Sequence, residues 1–185
     1  MKKIIRKPTT ALYPLPAVLV SCGTGSQANI ITLAWAGTVC SNPPLIALGV
    51  RPSRYSHALI NDVEEFVVNL PRADQASLVD HCGTVSGRDE DKWHACAFTP
   101  IQGAEVTVPL IAECPVNIEC RLRQTISLGS HDLFIGEVVS VQMDEGVLDD
   151  RGRLDVAAAD PFAYLSGEYR RVGELLGTFG FSKRR

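Results

Sequence analysis

At 185 residues, with 45% hydrophobic and 21% charged side chains, the chain has the size and composition of one folded domain, and folding at that length buries roughly 70% of the extended chain's surface without a metal or disulfide staple. No apolar run approaches the roughly 20 residues of a membrane-spanning helix, and the basic start at Lys2 and Lys3 lacks the apolar stretch of a secretory signal, so no membrane partner and a cytoplasmic location are expected. The net charge of −3 excludes the basic stripe that a nucleic acid would need.

In chain order, residues 17–21 are apolar and β-branched and predict a first strand, with a Gly/Ser turn over residues 22–28. Residues 29–40 predict one long second strand, stopped by Asn42-Pro43-Pro44, and residues 45–50 a third. Ser53 is placed to cap a short helix through Asp62, residues 65–69 return as a strand, and Asp74 is placed to cap a helix near residues 75–81. A polar loop follows over residues 83–91. Residues 116–126 and 133–143 predict a long antiparallel pair, because Val116, Ile118, Cys120 and Leu122 alternate with Asn117, Glu119, Arg121 and Arg123.

Serial strands with short turns argue for a mainly β fold, a closed β-barrel with helical excursions, since closure removes exposed edges. No repeat or linker divides the chain, so residues 1–185 form one domain. From residue 151 onward there is little periodicity, and this part is expected to wrap the barrel. The six cysteines form no CxxC pair and no Cys/His cluster of zinc spacing, so reduced thiols with no metal and no structural disulfide are expected. Cys22, Cys40, Cys114 and Cys120 lie in or beside apolar runs, as small buried hydrophobes do.

Charge is unevenly placed. No Asp or Glu precedes Asp62, so the first 61 residues carry +6, while the remainder has 12 basic against 21 acidic residues. Arg51-Pro52-Ser53-Arg54-Tyr55-Ser56 follows a strand and opens a helix, and its hydroxyls, guanidiniums and free helix amides suit a terminal phosphate as well as an ordinary solvated helix start. Gly23-Thr-Gly25-Ser-Gln-Ala28 has the form of a dinucleotide fingerprint, but the β-branched run after it and the lack of an acid before Asp62 make it a hairpin turn. Asn29, Thr32 and Trp35 follow on the next strand. Lys92 beside Trp93 ends a charged run, and His131 sits in a turn between the two long strands. No nucleophile elbow, P-loop or HExxH is present, so hydrolase and NTPase chemistry lacks support.

Taken together, the run 14–20, Asn29-Ile-Ile-Thr32-Leu-Ala-Trp35-Ala, Asn42-Pro43-Pro44, Glu65-Phe66-Val67-Val68-Asn69, Ser86-Gly87-Arg88-Asp89 through Lys92, Ile118-Glu119-Cys120 and residues 129–138 resemble the flavin reductase-like FMN-binding proteins, in particular the flavoredoxins. The resemblance is collinear over nearly the whole chain. It implies a split β-barrel of Greek-key type, a homodimer, and FMN near the subunit interface. It implies Asn29, Thr32 and Trp35 at the flavin ring, Arg51, Ser53, Arg54 and Ser56 at the phosphate, and Lys92, His131 and Tyr164 completing the pocket. The activity implied is hydride transfer from NAD(P)H to FMN and onward to a flavin or protein acceptor, with His131 orienting flavin or nicotinamide and no catalytic base required. Two alternatives are an electron carrier with little NAD(P)H activity, serving a redox protein partner, and a non-redox flavin-binding dimer.

Overall fold

The computed structural model describes residues 1–183. The apolar run after β1 (Leu15–Pro16) forms β2 (Val18–Cys22), all of whose residues are buried. Its alternation sorts side chains to two cores: Val18, Val20 and Cys22 enter one cluster, Leu19 the other. After a single turn of 3-10 helix at Gly25–Gln27, β3 (Asn29–Leu33) pairs back on β2 with Cys22 opposite Asn29, the hairpin expected of this stretch. The long strand predicted over residues 29–40 is instead two. The chain bends at Ala34 and Trp35, and β4 (Ala36–Ser41) turns through Asn42 and Pro43 into β5 (Pro44–Val50).

Next come α1 (Tyr55–Val63), β6 (Glu65–Leu70), α2 (Ala76–Thr84), α3 (Lys92–Ala95), and the short pair β7 (Pro100–Ile101) and β8 (Leu110–Ile111). The long partners are β9 (Val116–Ser127) and β10 (Asp132–Met143). They complete a seven-stranded antiparallel sheet in the order β3-β2-β6-β9-β10-β5-β4, curled into a split barrel. Two caps differ from expectation: Arg54 rather than Ser53 occupies the α1 N-cap with no side-chain bond, and Asp74 lies inside a 3-10 turn that precedes α2.

The alternation in β9 holds only in its second half, where Arg121 and Arg123 are exposed. Asn117 and Glu119 are buried because residues 103–111 fold over that face. Glu119 accepts backbone N–H bonds from Ala104, Glu105 and Val106 at 3.1, 2.7 and 3.0 Å, and the Gln142 amide at 2.8 Å. Burial alone would raise its carboxyl, but these four donors together hold it below the usual carboxylate range.

Beyond β10, α4 (Val156–Ala159) leads to a hairpin of β11 (Phe162–Leu165) and β12 (Glu168–Arg171), which pairs with β1 and packs Phe162, Tyr164 and Tyr169 on the second core. Wrapping stops there. Val172, Leu175, Leu176, Phe179 and Phe181 are exposed.

Candidate functional site

The bend at Ala34 and Trp35 opens a cleft at the mouth of the barrel. Trp35 lies against β5, where its carbonyl accepts from Gly49 N–H at 2.8 Å. A Cβ at Gly49 would stand 3.3 Å from the Trp35 Cβ, so the glycine gives the indole room to settle on the strand. The indole is still 42% exposed and meets the His131 ring at a centroid distance of 4.4 Å. His131 Nε2 accepts from Arg51 Nε at 3.3 Å, and its Nδ1 lies 2.9 Å from Ser130 Oγ. Partial burial and then the Arg51 charge lower its pKa, so the ring is neutral at neutral pH.

Arg51 and Arg54 stand at the start of α1. Both are exposed, and neither forms an ion pair among the described residues. No side chain caps the helix, which leaves its first amides open. Together with Thr32, Trp35, His131, Tyr164 and the backbone of residues 31–35, the two arginines line a cleft of about 240 Å³ that contains no acidic side chain. It runs into hollows of about 310 and 890 Å³ that share Ala34 and Tyr164.

The other predicted residues lie outside this cleft. Asn29 and Lys92 line a neighbouring hollow of about 630 Å³ with Tyr55, Gly87, Arg88 and Trp93. Asn29 Nδ2 donates to Ser56 Oγ at 2.8 Å, and Ser56 is buried, so its hydroxyl faces inward. Ser53 is exposed at the rim, where its carbonyl accepts from Arg88 at 3.3 Å. Lys92 is 3% exposed, and its Nζ donates to the carbonyls of Ile30 at 2.8 Å and Cys82 at 2.7 Å. The Thr32 hydroxyl donates to the Val79 carbonyl, so it ties β3 to α2. Arg88, which the sequence does not single out as a binding residue, also lies here. Its guanidinium stacks on Tyr55, 5.3 Å from the ring centre, close to the α1 start. Its loop can approach because Gly87 lacks a Cβ, which would overlap the Asn29 carboxamide. Its only signal in the sequence is its place in the charged run from Ser86 to Lys92.

An acid-free cleft with two guanidiniums that have no carboxylate partner, open helix amides and an exposed indole has the donor set for a flat heterocycle that carries a phosphate. FMN is such a molecule, and the residues present fit it.

The split barrel is the fold of flavin reductase-like proteins of known structure. The family model described as the flavin reductase like domain matches residues 10–173, and the chain belongs to that family, whose members serve flavin-related redox chemistry. Over its full length it is similar to flavoredoxin of Desulfovibrio vulgaris (Miyazaki F), at 35% identity, 100% coverage of both chains and a TM-score of 0.92. Flavoredoxin from Methanosarcina acetivorans is similar at 30% identity over 100% of this chain and 98% of that one, with a TM-score of 0.92. An FMN-binding protein from Thermus thermophilus, solved with bound 1-cyclohex-2-enone, is 27% identical over 96% of this chain and 99% of its own, with a TM-score of 0.81. No described helix is long and apolar enough to cross a membrane.

Proposed function

We propose that the protein binds FMN in the cleft between Trp35, Tyr164 and the start of α1, and works as an NAD(P)H-dependent oxidoreductase that passes electrons to a flavin or protein acceptor. The observation that carries this reading is the pair of unpaired arginines, Arg51 and Arg54, in an acid-free cleft walled by an exposed Trp35. Bound FMN supplies the redox centre, which can take up a hydride and release electrons singly or in pairs. The chain's residues bind and orient. Arg51, Arg54 and the α1 amides hold the phosphate, with Ser53 at the rim. Trp35 and Tyr164 provide flat area that excludes water. Neutral His131 offers no charge to oppose the nicotinamide cation that forms as hydride leaves NAD(P)H.

Asn29, Ser56 and Lys92 support the site from behind β3. Lys92 donates to the Ile30 carbonyl of that strand and places a cation near its far side, which favours an anionic reduced flavin. A homodimer fits the apolar side chains exposed beyond β12, including Leu176 at 93% and Phe179 at 107%, which a second copy would cover. The flavoredoxin relatives support the second reading, an electron carrier with little NAD(P)H activity.

The test is an absorbance spectrum of the purified protein followed by anaerobic titration with NADH and NADPH. Bleaching of bound flavin within seconds supports the reductase. Bleaching by dithionite but by neither nicotinamide supports the carrier. A colourless protein that takes up no added FMN overturns both.

A further inference from the structure

Beneath β3, α2 and α3 meet through two thiols. Cys82, in the last turns of α2, and Cys96, the residue that closes α3, place their sulfurs 3.6 Å apart, although 14 positions separate them in the chain. Both are buried, at 1% and 5% exposure. The pair touches the cleft by two routes. Lys92 Nζ bridges the Cys82 carbonyl and the Ile30 carbonyl of β3. Gly83, the residue after Cys82, lines the cleft and packs so closely on Thr32 that a Cβ there would stand 3.2 Å from the Thr32 Cβ.

We propose that Cys82 and Cys96 form a modification site, a dithiol that hydrogen peroxide converts to a reversible disulfide, moving the end of α2 beneath the flavin-facing strand. The sulfurs must close from 3.6 Å to the ~2.05 Å of an S–S bond, and Cys82, Gly83 and the Lys92 bridge move with them. Cys96 is the attacking sulfur, because it is the more exposed and lies within hydrogen-bond reach of the Cys82 thiol. Its thiolate attacks one peroxide oxygen and the O–O bond breaks. The departing hydroxide takes a proton to become water, leaving a sulfenic acid on Cys96. The Cys82 sulfur then attacks the Cys96 sulfur, the S–O bond breaks, and the Cys82 proton leaves with the hydroxyl as a second water. Two thiols and one peroxide become one disulfide and two waters, and the sulfurs lose the two electrons that the O–O bond gains.

Burial raises both thiols, Cys82 to about 12. The contact between the two sulfurs raises Cys82 further and lowers Cys96, Glu90 raises both, and the Lys92 ammonium lowers both, with burial dominant, so oxidation is slow at neutral pH and accelerates with alkali. The disulfide itself stands apart from the flavin reading. Its effect on the cleft rests on that reading.

The whole protein is treated with hydrogen peroxide, alkylated, and its free thiols counted by mass spectrometry. The expected result is loss of two of the six thiols, a Cys82–Cys96 linked peptide, and recovery with dithiothreitol. The rate should rise about tenfold per pH unit from about pH 7 to about pH 9. Cys82→Ala should leave a sulfenic acid on Cys96 that dimedone traps, and Cys96→Ala should leave Cys82 unreactive. Six free thiols throughout, or a cross-link between other cysteines, overturns the site. FMN dissociation constants are then compared for oxidised and reduced protein, with a difference of about threefold or more expected. Equal affinities overturn the coupling. Failure to bind FMN in either state overturns the flavin reading, while the thiol count still decides the disulfide.

Discussion

Lys92 and Glu119 stand in one kind of environment, Arg51 and Arg54 in another. The first two are buried, and their polar atoms are bonded to backbone groups of the same chain: Lys92 to two carbonyls, Glu119 to three amides and the Gln142 side chain. The arginines are exposed and bonded to no carboxylate among the described residues. A buried charge whose partners are internal holds a loop or a strand in place. An exposed charge with no carboxylate partner is available to a ligand. Net charge and motif spacing do not distinguish the two cases, because all four residues look alike as charges in a sequence.

Substitutions on each side sharpen the contrast. Glu119→Ala should have the largest effect on stability, about 4 kcal/mol by urea unfolding, because it leaves three amides, the buried one of Val106 among them, and the Gln142 side chain without an acceptor. Glu119 also links stability to acid. Its carboxyl is lower in the folded state, so its contribution is present above the ordinary 4.5 and is lost as pH falls through the folded value. Lys92→Met should follow, at about 3 kcal/mol, since two carbonyls lose a charged donor. A loss below about 0.5 kcal/mol for either would break the comparison.

Arg51→Ala and Arg54→Ala should leave stability within about 0.5 kcal/mol of the parent. Each should weaken FMN about tenfold, or about 1.4 kcal/mol, with little effect on riboflavin, which lacks the phosphate. Equal losses for both ligands in a calorimetric titration would remove the phosphate assignment. The smallest effect belongs to His131. Its pKa is lowered in the folded state, so its contribution is complete above the ordinary 6.5 and declines as pH falls through the folded value. The stability difference between the parent and His131→Gln should shrink over that window, and a constant difference would argue against the Arg51–His131 contact.

Much of the fold was legible because its signals are local. The hairpin at residues 22–29, the stop at Asn42 to Pro44 and the β9–β10 pair follow from turn chemistry and alternation. Failures came where distant segments cover a face. Asn117 and Glu119 read as solvent-facing, and residues 103–111 bury them. The break at Ala34 and Trp35 was hidden within a uniformly β-favouring run, which composition alone does not divide. Thr32, Trp35, Arg51, Arg54, His131 and Tyr164 line one cleft. Asn29, Ser56 and Lys92 lie behind it, because a donor's partner is chosen by whatever backbone comes nearest in space.

The sequence by itself determined the mainly β character, the family, and the cation-rich start that supplies the charges of the cleft. These depend on periodicity, composition and collinear motifs, which neighbouring residues carry. Only the tertiary structure decided which charges are free and which are tied, that Gly87 admits Arg88 to the rim, and that Cys82 meets Cys96. Those are contacts between segments remote in the chain, and the packing of helices and loops on the curled sheet, not local propensity, brings them together.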